Sequence, residues 1–483
     1  MEDYSWLFGL GLILAFMDAF GIGANDVSNS FSTSVGSNSI TLLQACIIAC
    51  FTEFFGAVLL GSNTTQTISG IIKNDIFEYN PPLLMLAMCC SLIGSSIWTI
   101  FASKVGLSVS CTHAVIGAMS GAVLISFGPS AINWSFENGI GRIVISWIAA
   151  PFICGFVAVT IFLSTRYFVL KNKDSFARAQ IAVPFYFALA FFVNTILIIS
   201  ESGFFKAMRL SVLTKMFISF VVAFLAFLFT KFNFVPWMVR KIENDENLRF
   251  YHMLFIWKVP YQFPRTKTIK KMEESNSKLS KIKGVLLSGV KKDIKEQDDH
   301  VDKVHQAAEI FDAKTEEMYS YLQVFTAIAA SIAHGSNDVS NAIGPLSTIY
   351  YVYKTNKVPT AVPVPIELLV FGAIAIDIGL FTLGYAVISS LGHKITYLSP
   401  ARGFSAEMAT AFTVVAASAM GLPLSTTHCI TGATTAIGLC NGTLKAINWR
   451  MLGLTFFSWI LTLPMAGLIS GCAFYFAVNS PHM

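Results

Sequence analysis

The sequence Ala24-Asn25-Asp26-Val27-Ser28-Asn29 recurs as Ser336-Asn337-Asp338-Val339-Ser340-Asn341 in the second part of the chain. A second polar block, residues 106–113 (GLSVSCTH), recurs as residues 421–428 (GLPLSTTH). The two pairs have nearly equal offsets of 312 and 315 residues. Two uncommon polar blocks that match at one spacing indicate two homologous units in one chain.

The composition around these blocks is typical of a membrane protein. The chain has 483 residues, of which 54% are hydrophobic and 13% are charged, and its mean hydropathy is +0.63. Soluble globular proteins carry about 25% charged residues, which argues against a soluble enzyme or a nucleic-acid-binding protein. Apolar runs of about 20 residues recur, each long enough to span a bilayer as a helix. They lack the alternation of a transmembrane β-barrel, so the predicted fold class is an all-α polytopic membrane protein in a lipid bilayer.

Twelve apolar segments are candidates for transmembrane helices. They cover residues 5–31, 40–61, 83–102, 107–127, 140–170, 182–199, 210–230, 319–346, 364–391, 404–420, 422–439 and 451–478. The fourth and the eleventh are rich in Gly, Ser and Thr, so we expect broken or re-entrant helices there. The predicted organisation has four parts: a first repeat (1–170), two linking helices (171–231), a charged loop (232–318) and a second repeat (319–483).

Each repeat holds five segments, and an odd number of crossings makes the second repeat start on the opposite side from the first. The repeats are therefore predicted to be inverted, as in many secondary transporters. Residues 231–314 hold 17 of the 33 Lys and Arg residues, and the link after the fifth segment adds Arg166, Lys171, Lys173 and Arg178. Basic links mark the cytoplasmic side, so the central loop is predicted to be cytoplasmic. This loop is interpreted as a solvated segment, with a docking site for partners as the alternative.

Six acids lie within or beside apolar segments: Asp18, Asp26, Glu53, Asp338, Asp377 and Glu407. Basic residues are scarce in the same segments. Buried acids are costly unless they are paired, protonated or bound to cations. Their number indicates a cation-coupled transporter, although individual members such as Asp18 and Asp377 are equally compatible with a structural role.

The Asn-Asp-Val-Ser-Asn blocks are interpreted as cation sites. Gly21, Gly23 and Gly335 precede them, and glycine is expected to let a membrane helix unwind and expose backbone groups. Asn25, Asp26 and Asn29 then offer oxygen ligands within one turn, and Asn337, Asp338 and Asn341 repeat the arrangement. Hard cations such as sodium prefer such oxygens, by analogy with other hard ions. The alternative is that these side chains only hold helices together.

The Ser/Thr/His blocks are interpreted as anion sites. A helix that begins after the glycine would point free N–H groups inward, and free N–H groups together with hydroxyls suit an oxyanion. The hydroxyls come from Ser110, Thr112, Ser425, Thr426 and Thr427. These hydroxyls could instead bond back to the preceding turn. His113 and His428 would donate to the anion, relay protons or simply pack.

Four motifs resemble the inorganic phosphate transporter (PiT) family: residues 23–31, 334–345, 400–404 and 421–428. The resemblance covers both units. It implies a symporter, not an enzyme, that imports inorganic phosphate with sodium as co-substrate and without another cofactor. It also implies alternating access, a homodimer and a location in the plasma membrane.

The resemblance assigns residues to two sites. Phosphate would bind at Asn25, Ser110, Thr112, Asn337, Ser425, Thr426 and Thr427. Sodium would bind at Asp26, Asn29, Glu53, Asp338, Asn341 and Glu407. Cys111 departs from the pattern, because the family more often has Thr there, as at Thr426 in the second unit.

Three alternatives remain open from the sequence. A carboxylate binds either a proton or sodium, so a proton-coupled phosphate carrier or a sulfate carrier fits the same scaffold. A phosphate sensor, with the long loop as its output element, belongs to a different class. An intramembrane enzyme is disfavoured, because no Ser/His/Asp order or metal-binding histidine pattern supports it.

Overall fold

The computed structural model describes residues 4–61, 71–136, 139–201, 205, 208–260, 299–359, 362, 364–419 and 424–480. Over these ranges the chain is helical, and β-structure is limited to two isolated bridges. The helices are α1 (Ser5–Asn25), α2 (Ser28–Gly36), α3 (Leu42–Leu60), α4 (Pro81–Lys104), α5 (Cys111–Phe127), α6 (Ile140–Thr165), α7 (Ser175–Glu201), α8 (Val212–Phe229), α9 (Val235–Glu243), α10 (Asp299–Gln306), α11 (Ala313–Thr355), α12 (Ile366–His393), α13 (Pro400–Ala419), α14 (Thr426–Leu439) and α15 (Trp449–Asn479).

The predicted all-α membrane fold is confirmed. Eight helical stretches of the described chain are long and apolar enough to cross a bilayer. The count of twelve crossings stays a prediction. The segment predicted as a charged loop contains α9, a 3-10 turn at Phe250–Lys258 and α10, while residues 261–298 lie outside the described part.

Helices α5 and α14 are short, as expected for the Gly/Ser/Thr-rich segments. They have 17 and 14 residues, which correspond to lengths of about 25 and 21 Å. The hydrocarbon core of a bilayer is about 30 Å thick. Each begins after extended backbone at an N-capping serine, Ser110 or Ser425, whose hydroxyl accepts a hydrogen bond from the third residue of the helix. We call α5 and α14 the half-helices below; that they are broken or re-entrant in the membrane stays a prediction.

The first Asn-Asp block interrupts a helix, but the second does not. Between α1 and α2, Asp26 and Val27 keep right-handed helical dihedral angles, and the Ser28 hydroxyl donates to the Asn25 carbonyl at 2.5 Å. The second block lies inside the continuous helix α11. The prediction that the helix unwinds at Gly335 is therefore wrong.

Gly335 and its counterpart Gly23 instead allow two helix pairs to touch. A Cβ on Gly23 would lie 1.8 Å from the carbonyl oxygen of Ile376 on α12, and a Cβ on Gly335 would lie 2.4 Å from that of Glu53 on α3. Small residues permit this close approach of backbones in membrane helices. The glycines are required for packing between α1 and α12 and between α3 and α11.

Helices of each unit pack against helices of the other unit, and the two sets of contacts correspond. Helix α1 crosses α12 in the same way as α11 crosses α3. Likewise Gly117 on α5 faces Leu463 on α15, while Gly432 on α14 faces Pro151 on α6. Gly117 and Gly432 are 315 residues apart, and Pro151 and Leu463 are 312 apart. Equivalent residues thus make the same contacts twice, each time across the boundary between the units.

The linkers around the half-helices also correspond. Ile72 and Ile132 form one isolated bridge, and Thr396 and Ile447 form the other. The first bridge lies before the start of α6, a helix of 26 residues that is about 39 Å long. Beyond its other end, Arg166 donates to the Cys440 carbonyl at 3.1 Å. The two pairs of linkers therefore lie at opposite ends of α6.

Candidate functional site

The two Asn-Asp blocks meet in a buried cluster of two acids and a histidine. Ligand atoms of Asp26, His334 and Asp338 lie within 4.8 Å of one another, and all three side chains are buried. His334 Nε2 lies 2.7 Å from Asp338 Oδ2, and His334 Nδ1 lies 2.7 Å from Glu53 Oε2. Four polar side chains thus lie together: Asp26 after the end of α1, Glu53 on α3, and His334 and Asp338 on α11.

Asparagines of each unit reach the half-helix of the other. Asn29 Nδ2 donates to the hydroxyls of Thr426 at 3.1 Å and Thr427 at 2.9 Å. Asn341 Nδ2 donates to the Thr112 hydroxyl at 3.1 Å. Residues that the sequence assigned to separate cation and anion sites are therefore neighbours in a single site.

The two central aspartates receive hydrogen bonds from the starts of the half-helices. The backbone N–H of Cys111 donates to Asp26 Oδ2 at 3.1 Å, and the Thr427 hydroxyl donates to Asp26 Oδ1 at 3.1 Å. The Thr426 hydroxyl lies 3.4 Å from Asp338 Oδ2. Two buried carboxyl groups, one histidine and the donors at both helix starts therefore lie in one cluster.

Asn25 and Asn337 are placed differently. Asn25 donates to the Ser103 hydroxyl at 3.0 Å and to the Leu107 carbonyl at 2.9 Å, and its oxygen accepts from the Val109 N–H at 3.0 Å. Asn25 thereby fixes the turn between α4 and α5. Asn337 is half-buried and donates to Asp338 at 3.0 Å. A phosphate oxygen at Asn25 would have to replace one of its present bonds.

Glu407 lies in a polar cluster of its own. Thr33 and Ser34 on α2 donate to Oε1 at 2.5 and 2.7 Å. On α11, Gln323 donates to Oε1 at 3.2 Å, and Thr326 donates to Oε2 at 2.5 Å. Glu53, by contrast, is tied to the central cluster through His334 and also accepts from Ser331 at 2.6 Å. The structure brings Glu53 to the centre and leaves Glu407 apart.

The serines of the polar blocks act as helix caps. Ser110 Oγ accepts from the His113 N–H at 3.3 Å, and Ser425 Oγ accepts from the His428 N–H at 3.4 Å. The Cys111 N–H at the start of α5 and the Thr426 and Thr427 hydroxyls at the start of α14 reach the two aspartates, so both helix starts lie at the same region. Helix N-termini favour anions through these donors and the helix dipole.

The two motif histidines pack against each other. The ring centroids of His113 and His428 are 4.5 Å apart, and Trp147 and Trp459 flank them at 4.0 and 3.9 Å respectively. His428 Nδ1 lies 3.2 Å from the Trp147 carbonyl. This arrangement fits the interpretation that both histidines are packed side chains. They are the third residues of α5 and α14.

His334 is the site residue that the sequence analysis did not assign. It lies four residues before Asp338, so the two side chains share a helix face. A histidine four residues before an aspartate on an apolar helix is the sequence pattern that could have predicted this pair. Gln323, Thr33 and Ser34 were also missed, because their common partner Glu407 lies in a distant segment.

A small cavity of about 10 Å³ adjoins the cluster, lined in part by Asn29, His334, Thr410 and Thr426. This is about the space of one water molecule and too small for a tetrahedral oxyanion. An oxyanion would enter only after the helix starts move apart.

Comparison with known proteins gives one consistent result. A profile described as the phosphate transporter family matches residues 22–470. The chain is 33% identical to a phosphate-repressible phosphate permease of Neurospora crassa over all of this chain and 99% of that protein. It is 28% identical to sodium-dependent phosphate transporter 2 of Felis catus, over 97% of each. A solved structure titled as the sodium-dependent phosphate transporter matches 98% of this chain and 100% of its own, with a TM-score of 0.76 and 30% identity.

Proposed function

The chain belongs to the phosphate transporter family, and from this premise we propose that it imports inorganic phosphate together with sodium by alternating access. The expectation that the chain is not an enzyme is confirmed by its family. The observation that carries the proposal is the cluster in which Asp26, Asp338 and His334 meet the starts of α5 and α14. Ligands for a cation and hydrogen-bond donors for an anion lie next to each other in this one buried region.

The acids support a sodium site. When the buried carboxyl groups of Asp26 and Asp338 are both ionised, their negative charge has no lysine or arginine partner in the site. Arg402, although buried, bonds the Glu309 carbonyl and Asn441, each at 2.8 Å. A hard cation bound by Asp26, Asp338, Asn29 and Asn341 would supply the missing charge.

The half-helices support a phosphate site. Phosphate would accept hydrogen bonds from first-turn N–H groups of α5 and α14 and from the hydroxyls of Thr112, Thr426 and Thr427. Ser110 and Ser425 would hold the two helix starts in place as caps. Sodium at the adjacent aspartates would offset the repulsion between phosphate and carboxylate, which couples the two ligands in one step.

The corresponding contacts between the two units support inverted repeats. Equivalent residues make equivalent contacts across the unit boundary, and the corresponding linker bridges lie at opposite ends of α6. An inverted pair of units offers two alternative arrangements around a fixed central site. A cytoplasmic central loop, a plasma-membrane location and a homodimer remain predictions.

Uptake by the purified protein in liposomes tests this function. An inward sodium gradient at clamped membrane potential should drive accumulation of labelled phosphate, while choline in place of sodium should not. Uptake driven by a proton gradient alone would replace sodium by protons as the coupling ion. Uptake of sulfate but not phosphate would overturn the substrate assignment.

A further inference from the structure

Asp18 on α1 is a buried acid for which the proposed transport site has no use. Its side chain is 0% exposed, and neither carboxyl oxygen has a hydrogen-bond partner. The other buried acids of the bundle differ: Glu407 accepts from four side chains, and Asp26 from three groups. An ionised carboxylate without donors in a membrane interior is strongly disfavoured. Asp18 therefore needs a ligand.

The surroundings of Asp18 contain two polar neighbours. One is Ser95 on α4, whose buried hydroxyl faces the Asp18 carboxyl group without making a regular hydrogen bond to it. The other is the thiol of Cys111 at the start of α5, which lies near Asp18. The Asp18 side chain thus lies where α1 meets α4 and the start of α5.

The equivalent place in the second repeat is a cavity. Asp18 corresponds to Ala330 at the offset of 312, and Ser95 and Cys111 correspond to Thr410 and Thr426 at the offset of 315. All three counterparts line the cavity of about 10 Å³ beside the central cluster. A space that is open in the second repeat thus contains a carboxyl group in the first.

The available ligand atoms select a proton over a metal ion. Hard cations take about six oxygen ligands, whereas Ser95 and Cys111 beside Asp18 supply one hydroxyl and one thiol. A thiol is a soft ligand that hard cations do not favour. The same position carries a hydroxyl in the second repeat, at Thr426. We propose that Asp18 is a proton-binding site, separate from the sodium and phosphate sites and occupied by a proton in this conformation.

The position of Asp18 links this proton to the transport site. Asp18 and Asn25 are seven residues apart on α1, on the same helix face and about 10 Å apart along the axis. Between them, Gly21 packs so closely on α4 that a Cβ would lie 2.4 Å from Thr99 Oγ1. Loss of the proton would place a charge in a tightly packed contact, and α1 would transmit the resulting shift to Asn25 and Asp26.

Other titratable groups lie on the helices that pack against α1, and Cys111 is near Asp18. The buried titratable side chains on the helices that pack against α1 are Cys89 and Cys90 on α4, Cys111 and His113 on α5, and Tyr319, His334 and Asp338 on α11, while Asp377 on α12 is partly exposed. An Asp18→Asn variant removes the titration of Asp18 and leaves these other titratable groups in place, because asparagine is neutral and has the same shape as aspartate.

Infrared spectroscopy of the protein in lipid vesicles tests occupancy directly. The difference spectrum between wild type and Asp18→Asn at neutral pH should show loss of the carbonyl band of a protonated carboxylic acid, with and without sodium. Ser95→Ala, which keeps the acid, should shift the same band. Loss of ionised carboxylate bands, or a carbonyl band that disappears when sodium is added, would overturn the proton assignment.

Phosphate uptake tests whether the proton matters for transport. Under one sodium gradient, Asp18→Asn should match wild type within about twofold at neutral pH, and should exceed it increasingly as the pH is raised. The readout is the ratio of uptake by Asp18→Asn to uptake by wild type at each pH. The titration of phosphate itself affects both proteins equally and cancels in this ratio. A ratio that stays constant up to alkaline pH would refute the link to transport. Failure of the sodium-coupled function would abolish uptake in both proteins and leave the infrared result intact.

Discussion

The hydroxyl of Thr427 joins the two halves of the site, so Thr427→Val tests whether the halves act together. The hydroxyl accepts from Asn29 Nδ2 at 2.9 Å and lies 3.1 Å from both Asp26 Oδ1 and the Val109 carbonyl. Valine has nearly the same shape but cannot form these bonds. Asn29 keeps its bond to Thr426, whereas Asp26 loses a donor.

A hydrogen bond to a charged group contributes about 1.5–3 kcal/mol. Because about 1.4 kcal/mol corresponds to a factor of ten, Thr427→Val should lower sodium-driven phosphate uptake at subsaturating substrate by about 10- to 150-fold. The assay is initial uptake in liposomes, normalised to folded protein from a thermal unfolding curve.

Thr431→Val is the matched control. Thr431 lies one turn further along α14, is buried, and has a hydroxyl without a hydrogen-bond partner. The same substitution there should change uptake by less than about twofold, because no bond is lost. Equal losses in both variants, or normal uptake in Thr427→Val, would refute the reasoning.

Three further predictions concern other parts of the molecule. Asp26→Asn and Asp338→Asn should each abolish uptake while the unfolding temperature stays near that of wild type; near-normal uptake in either would contradict the cation site. Ser425→Ala removes a helix cap, which costs about 1 kcal/mol, and should raise the apparent phosphate KM more than the sodium requirement; the reverse pattern would move Ser425 to the cation site. Gly335→Ala forces a Cβ to 2.4 Å from the Glu53 carbonyl, whereas Gly453→Ala meets nothing within 4 Å. Thermal unfolding should show a large loss for the first and none for the second, and equal stabilities would contradict the close packing of α3 and α11.

The sequence predicted the repeat and most of the site residues because rare polar side chains in apolar helices are conspicuous. Asn29, Asn341, Asp26 and Asp338 were identified from two blocks that match each other. Their mutual contacts were not predictable, since Asn29 and Thr427 are 398 residues apart and meet only through the packing of two units.

Other features depended on tertiary packing that a local pattern does not contain. Gly335 was read as a helix breaker, yet α11 continues through it because its backbone packs directly on Glu53. Glu407 was grouped with the cation ligands from its type alone, whereas its donors come from α2 and α11. Glycine in a membrane helix serves either close packing or unwinding, and only the neighbouring helix decides between them.

Equilibrium binding of phosphate to the purified protein, measured by calorimetry at increasing sodium concentration, tests the shared site most directly. If sodium at Asp26 and Asp338 completes the phosphate site, sodium should raise phosphate affinity, and phosphate should raise sodium affinity by the same factor. Both effects should vanish in Asp26→Asn and Asp338→Asn. Phosphate affinity that is independent of sodium in the wild-type protein would contradict the account.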